Sequence, residues 1–209
     1  MKVAHIDAWR RDPDTFWSFY GQRFALLHDR RPNRAHAALA ELERRRLVRA
    51  VVTQNIDRLH RLAGTGSLIE VHGSIEWSVC LRCGARVALE RVLELLAARP
   101  GAPACEACGA PLKPDVVLFG ELLPERAIES AFRLAEEADL LIAVGSSLAV
   151  HPVASLPEAT LEAGGRLALV TQGETPYDGR ASVKLDGDVE EELGALIRAL
   201  DAAGAPLER

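Results

Sequence analysis

Two pairs of cysteines constrain this chain more than any other feature. Cys80-Leu81-Arg82-Cys83 and Cys105-Glu106-Ala107-Cys108 hold all four cysteines of the sequence, with 21 residues between Cys83 and Cys105. Each CxxC knuckle presents two thiolates from one tight turn, and a glycine, Gly84 or Gly109, follows the second cysteine. Paired knuckles at this spacing are the pattern of a tetrahedral zinc site. Four thiolates fill the coordination sphere and leave no place for water, so one structural zinc is expected. Two disulfides would consume the same residues. No signal peptide opens the sequence, however, and a reducing cytosol disfavours disulfides, so zinc and a cytoplasmic location are the reading adopted.

The remainder is long enough for one substantial core beside a small satellite module, with 209 residues and 48% hydrophobic content. No apolar run approaches the roughly 20 residues that cross a bilayer, so no membrane partner is expected. A net charge of −5 argues against direct nucleic-acid binding, which needs a basic face.

Upstream of the cysteines lies Thr53-Gln54-Asn55-Ile56-Asp57-Arg58-Leu59-His60, and then His72-Gly73. Each follows a short apolar run, Ala50-Val51-Val52 in one case and Leu68-Ile69-Glu70-Val71 in the other, of the kind that forms buried strands. Polar groups just past the C-terminal ends of strands in an open α/β sheet lie where such folds bind ligands. His72 is therefore a candidate base beside a candidate cofactor site. Taken alone, it would read as a strand-end histidine satisfied by its neighbours. His36 and His60 sit in helical patterns and read as packing histidines, and Glu43-Arg44-Arg45-Arg46 as a solvated helix end.

Elsewhere strands and helices alternate. Helices are expected from Pro13 to about Leu27, after Asn33, and over 89–98, 124–138, 152–163 and 188–203. Strands are expected at 50–53, 68–71, 116–118, 140–144, 167–171 and 182–185. The alternation implies an α/β fold, a Rossmann-like, mostly parallel sheet with helices on both faces and a small inserted zinc-ribbon module. The expected division is 1–75 with 112–203 for the nucleotide-binding domain, 76–111 for the zinc module, and 204–209 for a tail.

Taken together, these residues resemble the sirtuins, the Sir2 family of NAD-dependent protein deacylases, in their bacterial form. The matching pieces run in order: Pro32-Asn33-Arg34-Ala35-His36, Thr53 to Gly64, Val71-His72-Gly73 and the four cysteines, then Lys113 to Glu121 (KPDVVLFGE), Gly145 to Pro152 (GSSLAVHP) and Glu174 to Asp178 (ETPYD). The resemblance implies a deacetylase that consumes NAD, acts on acetyl-lysine proteins or peptides as a monomer, and releases nicotinamide and O-acetyl-ADP-ribose. It gives His72 the role of general base, with Asn55 beside it. Gln54 and Asn55 would hold the ribose, and Ile56 and Asp57 the nicotinamide carboxamide. Gly145, Ser146, Ser147, Thr171 and Asp188 would serve the adenosine side. Val117, Phe119 and Gly120 would line the acyl-lysine tunnel, with substrate backbone between Glu121 and Val150.

Three departures from the family pattern stand out. Sirtuins open with a strand, a Gly-Ala-Gly-Ser or Gly-Ala-Gly-Thr phosphate loop and a Ser-Gly-Ile-Pro-Asp-Phe-Arg segment, whereas this chain starts at Met1-Lys2-Val3-Ala4-His5, which resembles the part after them. Thr171 stands where many relatives have Asn, and Leu122 where bacterial relatives often have Asn. The missing loop leaves two alternatives to an active deacylase: an inactive module that binds acyl-lysine peptides, or a zinc-ribbon scaffold.

Overall fold

The computed structural model describes residues 2–204, so positions 205–209 of the expected tail lie outside it. In chain order the elements begin with α1 (Ile6–Arg11), α2 (Pro13–His28), α3 (Arg34–Arg44), β1 (Val51–Thr53), α4 (Leu59–Leu62) and β2 (Leu68–Glu70). Next come β3 (Gly73–Val79), β4 (Arg86–Ala88), α5 (Leu89–Ala98) and β5 (Lys113–Val116). The last stretch runs α6 (Glu125–Glu136), β6 (Leu140–Val144), α7 (Leu156–Glu162), β7 (Arg166–Val170), β8 (Val183–Leu185) and α8 (Val189–Ala202).

These elements group into two compact units. The first takes the chain up to Arg31, Asn55–Arg58 and His72–Pro124; the second takes Pro32–Gln54, Leu59–Val71 and the chain from Glu125 on. The unit with the four cysteines thus contains α1 and α2 as well as the stretch 76–111.

In the first unit, Asp12 starts α2 by accepting the Thr15 N–H at 3.0 Å, with Pro13 in the first turn where its missing N–H costs nothing. Helix α2 buries Phe16, Trp17 and Phe24 against Trp9, Ile75, Leu89, Val92 and Leu112. The Trp9 and Trp17 indoles both donate to the Leu112 carbonyl, at 3.2 and 2.7 Å, so two large rings are buried without an orphaned N–H. The sheet here is antiparallel, in the order β4-β3-β5. Its third strand is a correction. The expected strand 116–118 followed the apolar run Val116-Val117-Leu118, but pairing with β3 uses Lys113–Val116. Pro114 is tolerated because β5 lies at the sheet edge. Strands β3 and β4 and helix α1 were not foreseen.

The second unit carries the parallel strands, as two sheets, β1-β2 and β6-β7-β8. Parallel neighbours need long crossovers, and helices α4, α7 and the 171–182 connection supply them. Helix α3 packs Ala35 and Ala38 on Leu193 of α8, small residues that allow close approach. The Glu190 carboxylate at the start of α8 accepts from the Asn33 side chain and the Arg34 backbone, each at 3.2 Å. Thr160 of α7 donates to the Ala135 carbonyl of α6 at 2.7 Å. The expected helix 152–163 is a 3-10 turn (Val153–Ser155) followed by α7. The fold is α/β, with parallel strands and helices in one unit and a small antiparallel sheet with the four cysteines in the other.

Candidate active site and metal centre

The two knuckles fold as the same local device. Cys80 N–H donates to Ala85 O and Cys105 N–H to Ala110 O, both at 2.8 Å, while Gly84 and Gly109 N–H return to the Cys80 and Cys105 carbonyls at 2.8 and 2.7 Å. Each turn therefore aims its two sulfurs the same way. All four Sγ atoms lie within 4.8 Å of one another, with Cys80–Cys108 at 3.4 Å and Cys83–Cys105 at 3.6 Å. A regular ZnS4 tetrahedron with Zn–S near 2.3 Å has edges of about 3.8 Å, so the donor set fits zinc. The Ala110 N–H, and then the Arg82 guanidinium, hold the Cys108 thiol down to about 6. At Cys83 the Ala85 N–H pulls the same way, but protons shared with the three neighbouring sulfurs outweigh it and push the thiol up to about 12. Cys108 is thus poised as thiolate while Cys83 holds its proton, which metal binding displaces.

In the same unit, His72 occupies the turn before β3, half-buried. Its carbonyl accepts the Val117 N–H at 2.8 Å. Gly73 follows with φ +71, and a Cβ there would lie 2.2 Å from the Asp115 carbonyl oxygen. Only glycine lets the His72 backbone lie this close to β5. Ile56 O accepts the Ile75 N–H at 3.0 Å, which ties the irregular segment 55–58 to the strand that starts beside His72. Asn55 is exposed there, and Ile56 and Asp57 are half-buried. Arg58 takes φ +69, an uncommon conformation for a non-glycine residue. It is held by Glu90 at 3.4 Å and by His28 Nδ1 at 3.0 Å.

The segment after β5 is fixed at several points. Phe119 N–H donates to Ala4 O at 3.0 Å, and Ile6 N–H to Phe119 O at 2.9 Å. The Phe119 side chain stays 63% exposed and that of Leu122 94% exposed. Gly120 has φ +86, and a Cβ there would meet the His5 ring at 2.6 Å. Glu121 turns its carboxylate to Lys113 Nζ at 2.8 Å and to the Leu118 N–H at 2.9 Å. Sequence reasoning missed Lys113, His5 and Arg58. Lys113 was visible only as a member of the KPDVVLFGE motif, and its burial contradicts the usual habit of lysine.

The second unit places its expected residues at strand ends. Thr53 ends β1 and Gln54 follows it; Gly145 follows β6, Thr171 follows β7, and Asp188 comes three residues after β8. These positions lie at or just past the C-terminal ends of parallel strands, where open α/β sheets bind ligands. Gly145 N–H donates to Val170 O at 2.9 Å, and Thr171 N–H to Leu185 O at 3.0 Å. The Ser146 hydroxyl accepts the Leu148 N–H at 3.2 Å, and Ser147 is exposed. Asp188 caps α8 by accepting from Glu190 and Glu191 N–H at 2.9 and 3.3 Å. Val150 is 50% exposed. His36 serves the capping box of α3 with Asn33, and its ring packs 4.7 Å from that of His60. Glu43 departs from the solvated reading, since its carboxylate accepts from the Gly66 and Ser67 N–H groups at 2.8 and 2.5 Å ahead of β2.

Known proteins bear on this arrangement. The model of the Sir2 family matches residues 1–152. An NAD-dependent protein deacetylase from Sulfurisphaera tokodaii is 43% identical over 196 residues, which is 94% of this chain and 77% of that relative. One of the same description from Thermotoga maritima is 41% identical over 191 residues, covering 91% of this chain and 77% of the relative. A solved structure of Sir2 bound to acetylated peptide is 39% identical, with a TM-score of 0.90 over 98% of this chain and 84% of its own. Over most of its length, and in the cysteine and histidine motifs that the fold brings into order, this chain belongs to the Sir2 family.

Proposed function

We propose that this chain is an NAD-dependent protein-lysine deacetylase. The observation that carries the reading is the 2.8 Å bond from Val117 N–H to His72 O. It couples the candidate base directly to the segment that would receive the acyl-lysine stem. Relatives described as NAD-dependent protein deacetylases, and a neighbour solved with acetylated peptide, support it.

NAD supplies the ribose that accepts the acyl group, so that lysine, nicotinamide and O-acetyl-ADP-ribose are the products. His72 takes a proton from a ribose hydroxyl, a task suited to imidazole, whose ordinary pKa of about 6.5 lies near working pH. Asn55 and Gln54 bind the ribose hydroxyls. Ile56 and Asp57 hold the nicotinamide carboxamide, with the Asp57 carboxylate accepting from its NH2 group. Gly145, Ser146, Ser147, Thr171 and the Asp188 region bind the adenosine side. Val117, Phe119 and Gly120 surround the neutral acyl-lysine stem, which an apolar passage separates from charged lysine. Peptide backbone adds as a strand, with Glu121 and Val150 each serving the substrate. Cys80, Cys83, Cys105 and Cys108 hold one structural zinc, with 76–111 as its module. The same reading gives a cytoplasmic bacterial monomer that acts on acetyl-lysine proteins. No helix among the described residues is long and apolar enough to cross a membrane, and the net charge of −5 disfavours nucleic acid.

Incubation of the chain with NAD and an acetyl-lysine peptide should release nicotinamide in proportion to deacetylated peptide. His72→Ala should lower that rate by about 10²-fold or more. Equal rates from the parent and His72→Ala would overturn the assignment of the base.

A further inference from the structure

Lys113 is only 5% exposed, yet it carries an ammonium group. Its three donors are all engaged: with Val116 O at 2.8 Å, Pro114 O at 3.2 Å and Glu121 Oε2 at 2.8 Å. The same Glu121 oxygen accepts the Leu118 N–H at 2.9 Å, and the Glu121 N–H returns to Leu118 O at 3.0 Å. The Leu118–Glu121 bonds therefore close the turn 118–121 on itself, and the ion pair, with its lysine buried and its glutamate a quarter exposed, fastens it to β5. One residue earlier, Val117 N–H is bonded to His72 O. A largely buried pair of this kind is weak evidence for stability, because apolar replacements often serve as well. What it does supply is a single geometry.

From this we propose that Lys113 and Glu121 are positioning residues for the deacylation site. Their ion pair sets the path of Val117–Gly120, and through the Val117 bond it also fixes the backbone that bears His72. Glu121 then acts by holding the turn, with its carboxylate directed to Lys113 and Leu118. The inference rests on the deacetylase reading for its substrate, though the turn itself can be tested without it.

The test compares Glu121→Ala, Glu121→Gln and Lys113→Met in the full chain. Amide hydrogen exchange at Val117 and Leu118 is measured alongside kcat and the separate KM values for acetyl-lysine peptide and for NAD. Glu121→Ala and Lys113→Met should speed exchange at Leu118 and raise the peptide KM by about tenfold, with kcat also lower and the NAD KM within about twofold. Glu121→Gln keeps an oxygen for the Leu118 N–H, so it should recover most of the peptide KM. It also keeps the test open if Glu121→Ala does not fold. A role in stability alone would lower the melting temperature and the active fraction without moving the peptide KM. A folded Glu121→Ala with unchanged peptide KM and unchanged Leu118 exchange would overturn the proposal. If the parent turns over no acetyl-peptide, the deacetylase reading fails, while exchange at Leu118 still decides whether the pair holds the turn.

Discussion

Gly73 shows how much of the candidate site depends on one missing methyl group. A Cβ at this position would press on the Asp115 carbonyl, and φ is +71 as well. Gly73→Ala should therefore cost about 3 kcal/mol of stability in denaturant unfolding and lower activity by shifting the His72 backbone. Gly179→Ala, where an added Cβ meets nothing within 4 Å, should stay within about 0.5 kcal/mol of the parent. The polar residues of the candidate site were legible because their types and spacing carry the chemistry. Lys113 was not legible, since a lysine beside proline reads as surface turn. Its burial follows from three acceptors that only the folded backbone assembles.

At the scale of elements, the apolar runs of β6 and β7 were readable, as was the short β8, whereas β3 and β4 were not and β5 was displaced. Leu140–Val144 and Arg166–Val170 pair along their full length, as their buried faces require. Gly73–Val79 contains two serines and a glutamate, and its strand character comes from neighbours on both sides. Lys113–Val116 is a strand because of β3, against the preferences of its own Lys, Pro and Asp. The loop before β8 offers a pH test. Asp178 accepts from Lys184 Nζ on β8 at 2.6 Å and from Thr175 Oγ1 at 2.6 Å, and these bonds, Lys184 first, hold its carboxyl below the ordinary value. A lowered folded pKa means stabilisation that is present above the unfolded value of about 3.9 and lost as pH falls through the folded one. Asp178→Asn should thus melt below the parent at pH 7, and the difference should shrink below about pH 4. An equal difference at pH 7 and pH 3 would contradict the ion pair.

For the molecule as a whole, the division into two units gives the metal a local field of action. Four sulfurs join segments 80–83 and 105–108 to a core that includes α2 and α5. Removing zinc with a strong chelator should unfold this unit first, because the free energy of metal binding is part of its folding free energy. Metal content by atomic absorption should fall in step with the loss of its structure, and unfolding that is indifferent to the chelator would refute a structural zinc. The shared Leu112 carbonyl adds an optical consequence. Trp9 and Trp17 donate to it and Trp77 lies in β3, so every tryptophan of the sequence belongs to the zinc-bearing unit. Intrinsic tryptophan emission is therefore a reporter for that unit alone. It should shift to the red when zinc leaves, while the parallel sheets, which contain no indole, change without a signal of this kind.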